Sequence, residues 1–554
     1  MTSPRGALQN APPPYEDVNL YASDTALQEA VTREGGAYAA RRLNAFGIVC
    51  GSSEAMTRAR LADAHPPCLT SHDRYGRRID RIDYHPAFHD LMQTSVTEGI
   101  VGEQIDRMAP ATRTANPGRQ VARAATVYLA AQMDLGHLAS LSTTAAALAA
   151  LDGVAGLPDD WPALATSRSY DPRPLPVVDK HHIRLALAIG ERHAGTDLRA
   201  VATQAASQPD APDDRAFLIS GQKWYVTAPS ADGCLVLAQA PAGPSLFVVQ
   251  RFDPDGGGNG LEITRLKRMA GVRSEAAAEV RFDRALGSLV GAQGEGEALV
   301  EAMLLHLRLD ASLGATGLMR SGLAHALHFA EHRSSRGRRL IDQPVMGEVL
   351  CDLALDVEAA VALIFRLARA FDHTDDPRAE AWRRVMTPAS AFLVGRLAPS
   401  VLAECLECHG SDAYGDELPL ARYVRDVQAP GLAHGPGNIL AVEVLSTLQR
   451  APEAVATVME DLQLACGEDP YLLAAHARLE RILCEPRLLD RRGRDLAASL
   501  AVLAAGTLLR AHAPPAIADA YIATRLGSQP RQAYGQAIDW ADRDAILARA
   551  TPNR

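Results

Sequence analysis

The sequence predicts a mainly α-helical protein interrupted by one compact all-β insert. Three observations carry this. Apolar residues recur at three- and four-residue spacing through most of residues 20–180, and again beyond Gly296. Between Ile183 and residue 292 the pattern changes to short β-branched or aromatic runs separated by turn signals. With 47% hydrophobic and 22% charged residues in a 554-residue chain, the composition is that of a folded protein too long for one simple core.

The elements follow in order. Residues 1–17 read as a flexible arm, polar and marked by Pro12-Pro13-Pro14. Residues 18–182 form an N-terminal helical domain, with helical periodicity over Leu27–Ala45 and Val121–Ala150 and a loop-rich stretch from Pro66 to Pro86. The Ala-rich run Ala139–Leu151 implies close helix packing. Residues 183–292 form a middle β-barrel domain. Its strands are Phe217–Thr227, Cys234–Gln239, Ser245–Gln250, Leu261–Arg265 and Ala278–Phe282. Residues 293–450 read as a helical bundle, with long helices over Ala298–His332, Val345–Asp372, Ala379–His409 and Ile439–Leu448. Residues 451–554 form a C-terminal helical extension broken at Ala513-Pro514-Pro515.

Composition narrows the function classes. A net charge of −10 with pI about 6.0 argues against a nucleic-acid coat. Lys occurs only at Lys180, Lys223 and Lys267, so the basic residues are almost all Arg. Together with the abundant Ala, this reads as compositional bias. The N-terminus has no apolar signal core and no run approaches a membrane span, so a cytoplasmic protein without membrane association is expected. Eight Cys are too few for a disulfide scaffold. Cys405-Leu406-Glu407-Cys408-His409 matches the haem-attachment pattern C-x-x-C-H, but that chemistry requires export. The simpler reading is a helix end running into the Gly410-Ser411 turn. Zinc lacks a second ligand pair at the usual spacing, and no metal site is expected.

Five motifs stand in a fixed order: Gly190-Glu191-Arg192-His193-Ala194-Gly195-Thr196-Asp197, Gly221-Gln222-Lys223-Trp224-Tyr225-Val226-Thr227, Arg333–Gln343, Glu407–Tyr414 and Leu432–Asn438. They resemble, in turn, the T-E-x-x-x-G-S-D, G-x-K-x-W-I-T, R-x-x-F-G…Q, G-G-x-G-Y and aromatic-Glu-Gly-Ser/Thr segments of the acyl-CoA dehydrogenase superfamily. Within it the chain is most similar to the AidB-type alkylation-response branch. Asn19–Asp24, Glu29–Gly35, Gly76–Asp80, His85–His89 and Phe365–Ala370 carry that likeness, as does the C-terminal extension. The resemblance covers residues 18–550. It implies the acyl-CoA dehydrogenase fold: an N-terminal helical domain, a middle β domain, a C-terminal four-helix bundle and an extra C-terminal helical domain.

The resemblance also implies FAD as cofactor and a homo-oligomer built as a dimer of dimers. Ile189, Gly190, Gly195 and Thr196 would lie against the flavin and its pyrophosphate. Small residues let the backbone approach an oxygen, and Thr196 adds a hydroxyl donor. Tyr225, Val226 and Thr227 would border the ring, with Thr227 near N5. Arg333 and Gln343 would serve a neighbouring subunit's FAD, where the planar guanidinium suits a pyrophosphate. Gly410, Gly437 and Asn438 complete the expected cofactor set.

Several positions depart from the family pattern. A Thr is replaced by Gly190, a Phe by Arg336, and the loop Ser/Thr by Pro436. G-G-x-G-Y becomes Gly410-Ser411-Asp412-Ala413-Tyr414. Above all, His434 stands where the family carries the Glu that abstracts the substrate α-proton. Imidazole titrates near neutrality and can act as a base, so His434 is the candidate catalytic residue. Other members carry the base just before a bundle-helix Arg. That Arg corresponds to Arg308, and Leu307 precedes it, so no substitute carboxylate stands there. Asp310 and Asp412 lie nearby without motif support.

Three readings follow. The first is an FAD-dependent oxidoreductase oxidising or oxygenating a small-molecule substrate other than an ordinary fatty acyl-CoA. The second is a DNA-associated protective protein, for which Arg487, Arg491, Arg492 and Arg494 form a local cluster. Residues 452–554 nevertheless hold 12 Arg against 13 Asp plus Glu, which disfavours phosphate binding by net charge. The third is a catalytically inactive scaffold.

Overall fold

The computed structural model describes residues 10–102, 118–208, 214–485, 489–527, 533–536 and 542–552. These fall into two compact units. One comprises Met1–Met56, Asn116–Gln132 and Ala311–Arg554, and the other comprises Thr57–Ala115 and Met133–Asp310.

The second unit is built on a seven-stranded sheet. An outlying hairpin, β1 (Cys68–His72) and β2 (Arg78–Asp83), precedes it in the chain. The sheet strands are β3 (Leu185–Ala188), β4 (Gln204–Ser207), β5 (Ala216–Thr227), β6 (Gly233–Ala240), β7 (Gly243–Gln250), β8 (Leu261–Leu266) and β9 (Ala277–Val290). The ladder runs β6-β4-β5-β9-β7 and returns to β6, so five strands close a ring, with β3 added parallel to β6 and β8 antiparallel to β9. Closure removes exposed edges. The outlying edge at β8 is met by the hairpin: Arg78 donates to the Ile263 carbonyl at 2.8 Å, and the Ile263 amide donates to Asp80 at 2.9 Å. Phe217, Ile219, Val236, Phe247, Val249, Val280 and Phe282 fill the interior.

The β-branched and aromatic runs between turn signals located most of this. The expected Ala278–Phe282 strand is the start of the longer β9, whose polar outward positions Arg281, Asp283 and Arg284 obscure its continuation. Strands β3 and β4 and the hairpin inside the expected loop-rich stretch were not anticipated, being short or charged. Each of the two expected helical stretches holds two helices. Thr25–Arg33 and Ala40–Cys50 are separated at Gly35 (φ 104°), and Arg119–Met133 and Leu138–Ala150 at residues 134–137.

The first unit is helical. Pro344–Asp372, Pro377–His409 and Gly437–Arg450 pack with Pro452–Cys466 and Gly493–His512, and the chain breaks before Pro515–Leu526. Pro377–His409 lies in the one segment, among the described residues, that is long and apolar enough to cross a membrane by length and composition. This departs from the expectation that no run approaches a span. Half of its most apolar window is buried inside the structure, and the helix contains Pro388 and Pro399.

Polar anchors tie distant parts of this unit together. Arg525 pairs with Asp352 at 2.6 Å and Asp356 at 2.9 Å on the Pro344–Asp372 helix. The Tyr534 hydroxyl and Gly535 amide donate to the same two carboxylates, each at 2.9 Å. At the N-terminal side, Asp24 caps its helix through the Leu27 amide, accepts from the Tyr128 hydroxyl at 2.8 Å and pairs with buried Arg320. Arg549 bridges Glu29 and Glu358.

Removing one partner from a buried ion cluster strands the other charges. Arg525→Ala should therefore cost about 3–5 kcal/mol in chemical denaturation and make residues beyond about 510 sensitive to limited proteolysis.

Candidate functional site

In the second unit, the first two motifs are brought side by side by a charge buried in the barrel. Along β5 the inward positions are Phe217, Ile219 and then Lys223, which has no solvent exposure. A lysine facing a core must have all three donors satisfied. Its Nζ donates to Glu191 at 2.6 Å and to the Leu237 and Ile189 carbonyls at 2.7 and 3.4 Å. Glu191 also accepts from the Ala202 amide, the Thr203 amide and the Thr203 hydroxyl. Burial opposes ionisation of Glu191, but the bonds from Lys223, Thr203 and Ala202 prevail and hold its carboxyl below the usual range. The Trp224 amide donates to the Gly190 carbonyl at 2.9 Å, completing the link between the Ile189–Thr196 turn and β5.

Just beyond Lys223 the register of β5 against β9 shifts, and pairing resumes at Val226. The bulge turns both Trp224 and Tyr225 outward, whereas strict alternation would send one of them into the core. Tyr225 is 41% exposed, with its hydroxyl 3.0 Å from the Met269 sulfur. Val226 is buried, and Thr227 ends the strand opposite Ala277. Trp224 is ringed by cations: Lys267 Nζ lies 3.6 Å from the ring centroid, and the Arg192 and Arg265 guanidiniums lie at 5.0 and 5.9 Å. A Cβ at Gly190 or Gly195 would meet no heavy atom within 4 Å. Thr196 is exposed beside them. The Gly195 amide is already spent on the Glu191 carbonyl, so its contribution is space more than a donor.

In the first unit, Arg333 opens a small hairpin in which Ser334–Ser335 pairs with Arg338–Arg339. Arg336 and Gly337, at φ 54° and 77°, form its turn. Arg336 therefore occupies an exposed turn where the family's Phe is expected. Gln343 stands at the N-cap position of the next helix without a side-chain capping bond, and its side-chain amide donates to the Ser335 carbonyl at 3.2 Å. Gly410 ends the Pro377–His409 helix at φ 71° and is exposed, with open space where a Cβ would be. Its amide is bonded to the Glu407 carbonyl. Gly437 and Asn438 begin the Gly437–Arg450 helix. The Asn438 Oδ1 accepts from Arg494 at 2.8 Å, and the Arg494 guanidinium lies 5.1 Å from the Phe392 ring centroid.

His434 is half-buried at the end of the one-turn helix Pro430–Ala433, directly before Gly435 at φ 119°. Leu307 and Arg308 are buried, as is Asp310, whereas Asp412 is exposed in the turn Gly410–Tyr414. Cys405 and Cys408 are buried in the last turns of their helix, and desolvation pushes the Cys408 thiol up to about 12. His409 Nδ1 donates to the Cys405 carbonyl at 2.8 Å. Such thiols are poor ligands, and no group of three or more metal-ligating residues occurs among the described residues. Of the basic cluster, Arg487 lies outside the described residues, Arg492 is 3.8 Å from Glu485, and Arg494 is engaged by Asn438.

A buried relay went unread in the sequence: Ser95 Oγ to His137 Nε2 at 2.8 Å, and His137 Nδ1 to Asp134 at 3.1 Å. The side chains are sealed from solvent, so the relay has no access to a substrate. In the second unit the open Gly190–Thr196 turn is bonded to β5 beside its outward aromatic residues, and in the first unit Gly410 is unobstructed.

Residues 10–172 match the AidB adaptive response protein N-terminal domain family. Residues 186–285 match the acyl-CoA dehydrogenase middle domain, and residues 294–448 match the acyl-CoA dehydrogenase C-terminal domain. The putative acyl-CoA dehydrogenase AidB of Escherichia coli (strain K12) is 34% identical over 543 residues, covering 98% of this chain and 97% of that protein. Among solved structures, Caenorhabditis elegans ACDH-11 in complex with C11-CoA has a TM-score of 0.83 at 21% identity, covering 99% of this chain and 97% of that one. An acyl-CoA dehydrogenase complexed with FAD from Bacillus anthracis has a TM-score of 0.62 at 14% identity, covering 85% and 89%. At these identities the two structures speak to the fold alone.

The lowered carboxyl of Glu191 makes its stabilisation complete above the ordinary Glu range and lost as pH falls through the lowered value. Glu191→Gln should lose about 3–5 kcal/mol near neutrality, leaving Lys223 buried without its counter-charge. Denaturation between about pH 6 and pH 3 should show the wild type converging toward the variant as the medium acidifies.

Proposed function

The chain belongs to the AidB-type branch of the acyl-CoA dehydrogenase superfamily, a family of flavin-dependent oxidoreductases, and we propose that it uses FAD to oxidise or oxygenate a substrate other than an ordinary fatty acyl-CoA. One observation carries the departure from standard chemistry. On the motif resemblance, His434 takes the loop position of the family's carboxylate, and the alternative helix position corresponds to Leu307, which is buried. Neither is a carboxylate base for a thioester α-proton.

Bound FAD would supply the two-electron acceptor. Ile189, Gly190, Gly195, Thr196, Tyr225, Val226 and Thr227 would hold it in one unit. The family motifs assign Gly410, Gly437 and Asn438 to FAD as well. Arg333 and Gln343 would serve the FAD of a neighbouring subunit in a dimer of dimers. His434 would accept a proton beside the substrate, a role suited to oxidation of a C–N bond. The ACDH-11 complex with C11-CoA makes acyl thioesters the comparison substrates to set against amines and nitro compounds.

The DNA-associated reading draws less support, because Arg494 is bonded to Asn438 and Arg492 lies beside Glu485. Salt-dependent retention of duplex DNA would revive it.

The absorbance spectrum of the purified protein, followed by identification of the cofactor released on denaturation, should show near-stoichiometric FAD. His434→Ala should then keep the flavin spectrum and lose about 10²-fold or more in the rate of flavin reduction by the substrate that wild type accepts. A colourless protein that takes up no added FAD would overturn the reading.

A further inference from the structure

We propose that Asn10, near the start of the chain, is a positioning residue for Arg333, and that the N-terminal arm is thereby a working part of the cofactor site. This rests on the FAD reading above. The expected flexible arm is fixed by its contacts from residue 10 onward. Tyr15 is buried with its ring between His325 and His328, at centroid distances of 5.0 and 5.1 Å. His328 Nε2 donates to the Pro13 carbonyl at 2.8 Å. These anchors on the Gly296–His332 helix carry the arm back to the hairpin that begins at Arg333.

There Asn10 does two things at once. Its side-chain amide pairs with the backbone of Ser334, Nδ2 donating to the Ser334 carbonyl and Oδ1 accepting from the Ser334 amide, both at 2.7 Å. Its own carbonyl accepts from Arg333 Nη1 at 2.6 Å. The geometry needs Asn10 in the left-handed region, at φ 65°, which asparagine tolerates better than most residues. The side chain thus acts as an extra strand neighbour for a two-residue ladder that is marginal by itself.

The choice of acceptor is informative. Arg339, in the same hairpin, is held by Asp342 through two bonds of 2.8 Å and its charge is compensated. Arg333 is held by a neutral carbonyl and forms no ion pair among the described residues. Its side chain is ordered while its charge stays available. That combination suits an arginine meant for a phosphate brought by another molecule.

The test is FAD titration of the full-length apoprotein, followed by flavin fluorescence, for wild type, Asn10→Ala, Arg333→Gln and the double variant, each at several salt concentrations. Asn10→Ala should weaken FAD about tenfold. The double variant should bind no more weakly than Arg333→Gln alone. The salt dependence of binding should fall in Asn10→Ala as it does in Arg333→Gln, because both lose the same charge contact. Unchanged affinity in Asn10→Ala overturns the proposal. So does a loss that adds fully to that of Arg333→Gln, or one that leaves the salt dependence intact, since either marks a merely structural effect. If the double variant does not fold, the salt series on Asn10→Ala decides alone. A wild type that binds no FAD instead overturns the cofactor reading, and this inference with it.

Discussion

One buried ion pair organises the second unit. Lys223 takes an inward position on a barrel strand, where an alkyl side chain would satisfy packing without any polar partner. Because it is Lys, it requires Glu191, and Glu191 in turn requires the amides and hydroxyl at Ala202 and Thr203. The turn after β3, the start of β4 and the middle of β5 are therefore fixed by a single satisfied network. An apolar pair of similar volume would be no less stable. It would not, however, dictate where the Gly190 turn meets β5. The ion pair is better understood as setting register than as adding stability, and the bulge that turns Trp224 and Tyr225 outward begins directly after it.

The first unit uses the same device on a larger scale. Arg525 between Asp352 and Asp356, Arg549 between Glu29 and Glu358, and Arg320 beside Asp24 each join segments remote in sequence. In a chain whose cations are almost all arginine, these planar forks can satisfy several acceptors at once. Arg494 belongs with them: it faces Asn438 and Phe392, so part of a cluster that reads as a nucleic-acid patch in sequence serves to brace the expected cofactor loop.

Much of this was legible in the chain. Long helical periodicity gave the bundle helices to within a few residues, and β-branched and aromatic runs between turn signals gave β5 to β8. The family motifs gave the order of the site segments. What was not legible follows from physics that periodicity does not encode. Strands β3 and β4 are only four residues long, too short to show a period. The bulge after Lys223 leaves no mark other than a broken alternation. Asn10 looks like one polar residue in a proline-rich arm, and its value lies in a backbone angle and in partners more than 320 positions away. The motif could place Lys223 beside Trp224, but only the fold shows that its partner is Glu191.

The anchoring of the first unit has a consequence for how the protein is made. Glu29 and Arg549, which meet directly, are separated by 520 positions. At a synthesis rate of about 5–20 residues per second, the N-terminal helices would wait roughly 25–100 s on the ribosome before the last helix that binds them emerges. The barrel draws its strands from one contiguous stretch and can close in the meantime. The polypeptide thus carries an early-folding insert between two stretches that must find each other late. Through that interval the apolar faces of Thr25–Arg33 and Ala40–Cys50 would lack the partner that covers them, so slower translation should lengthen their exposure.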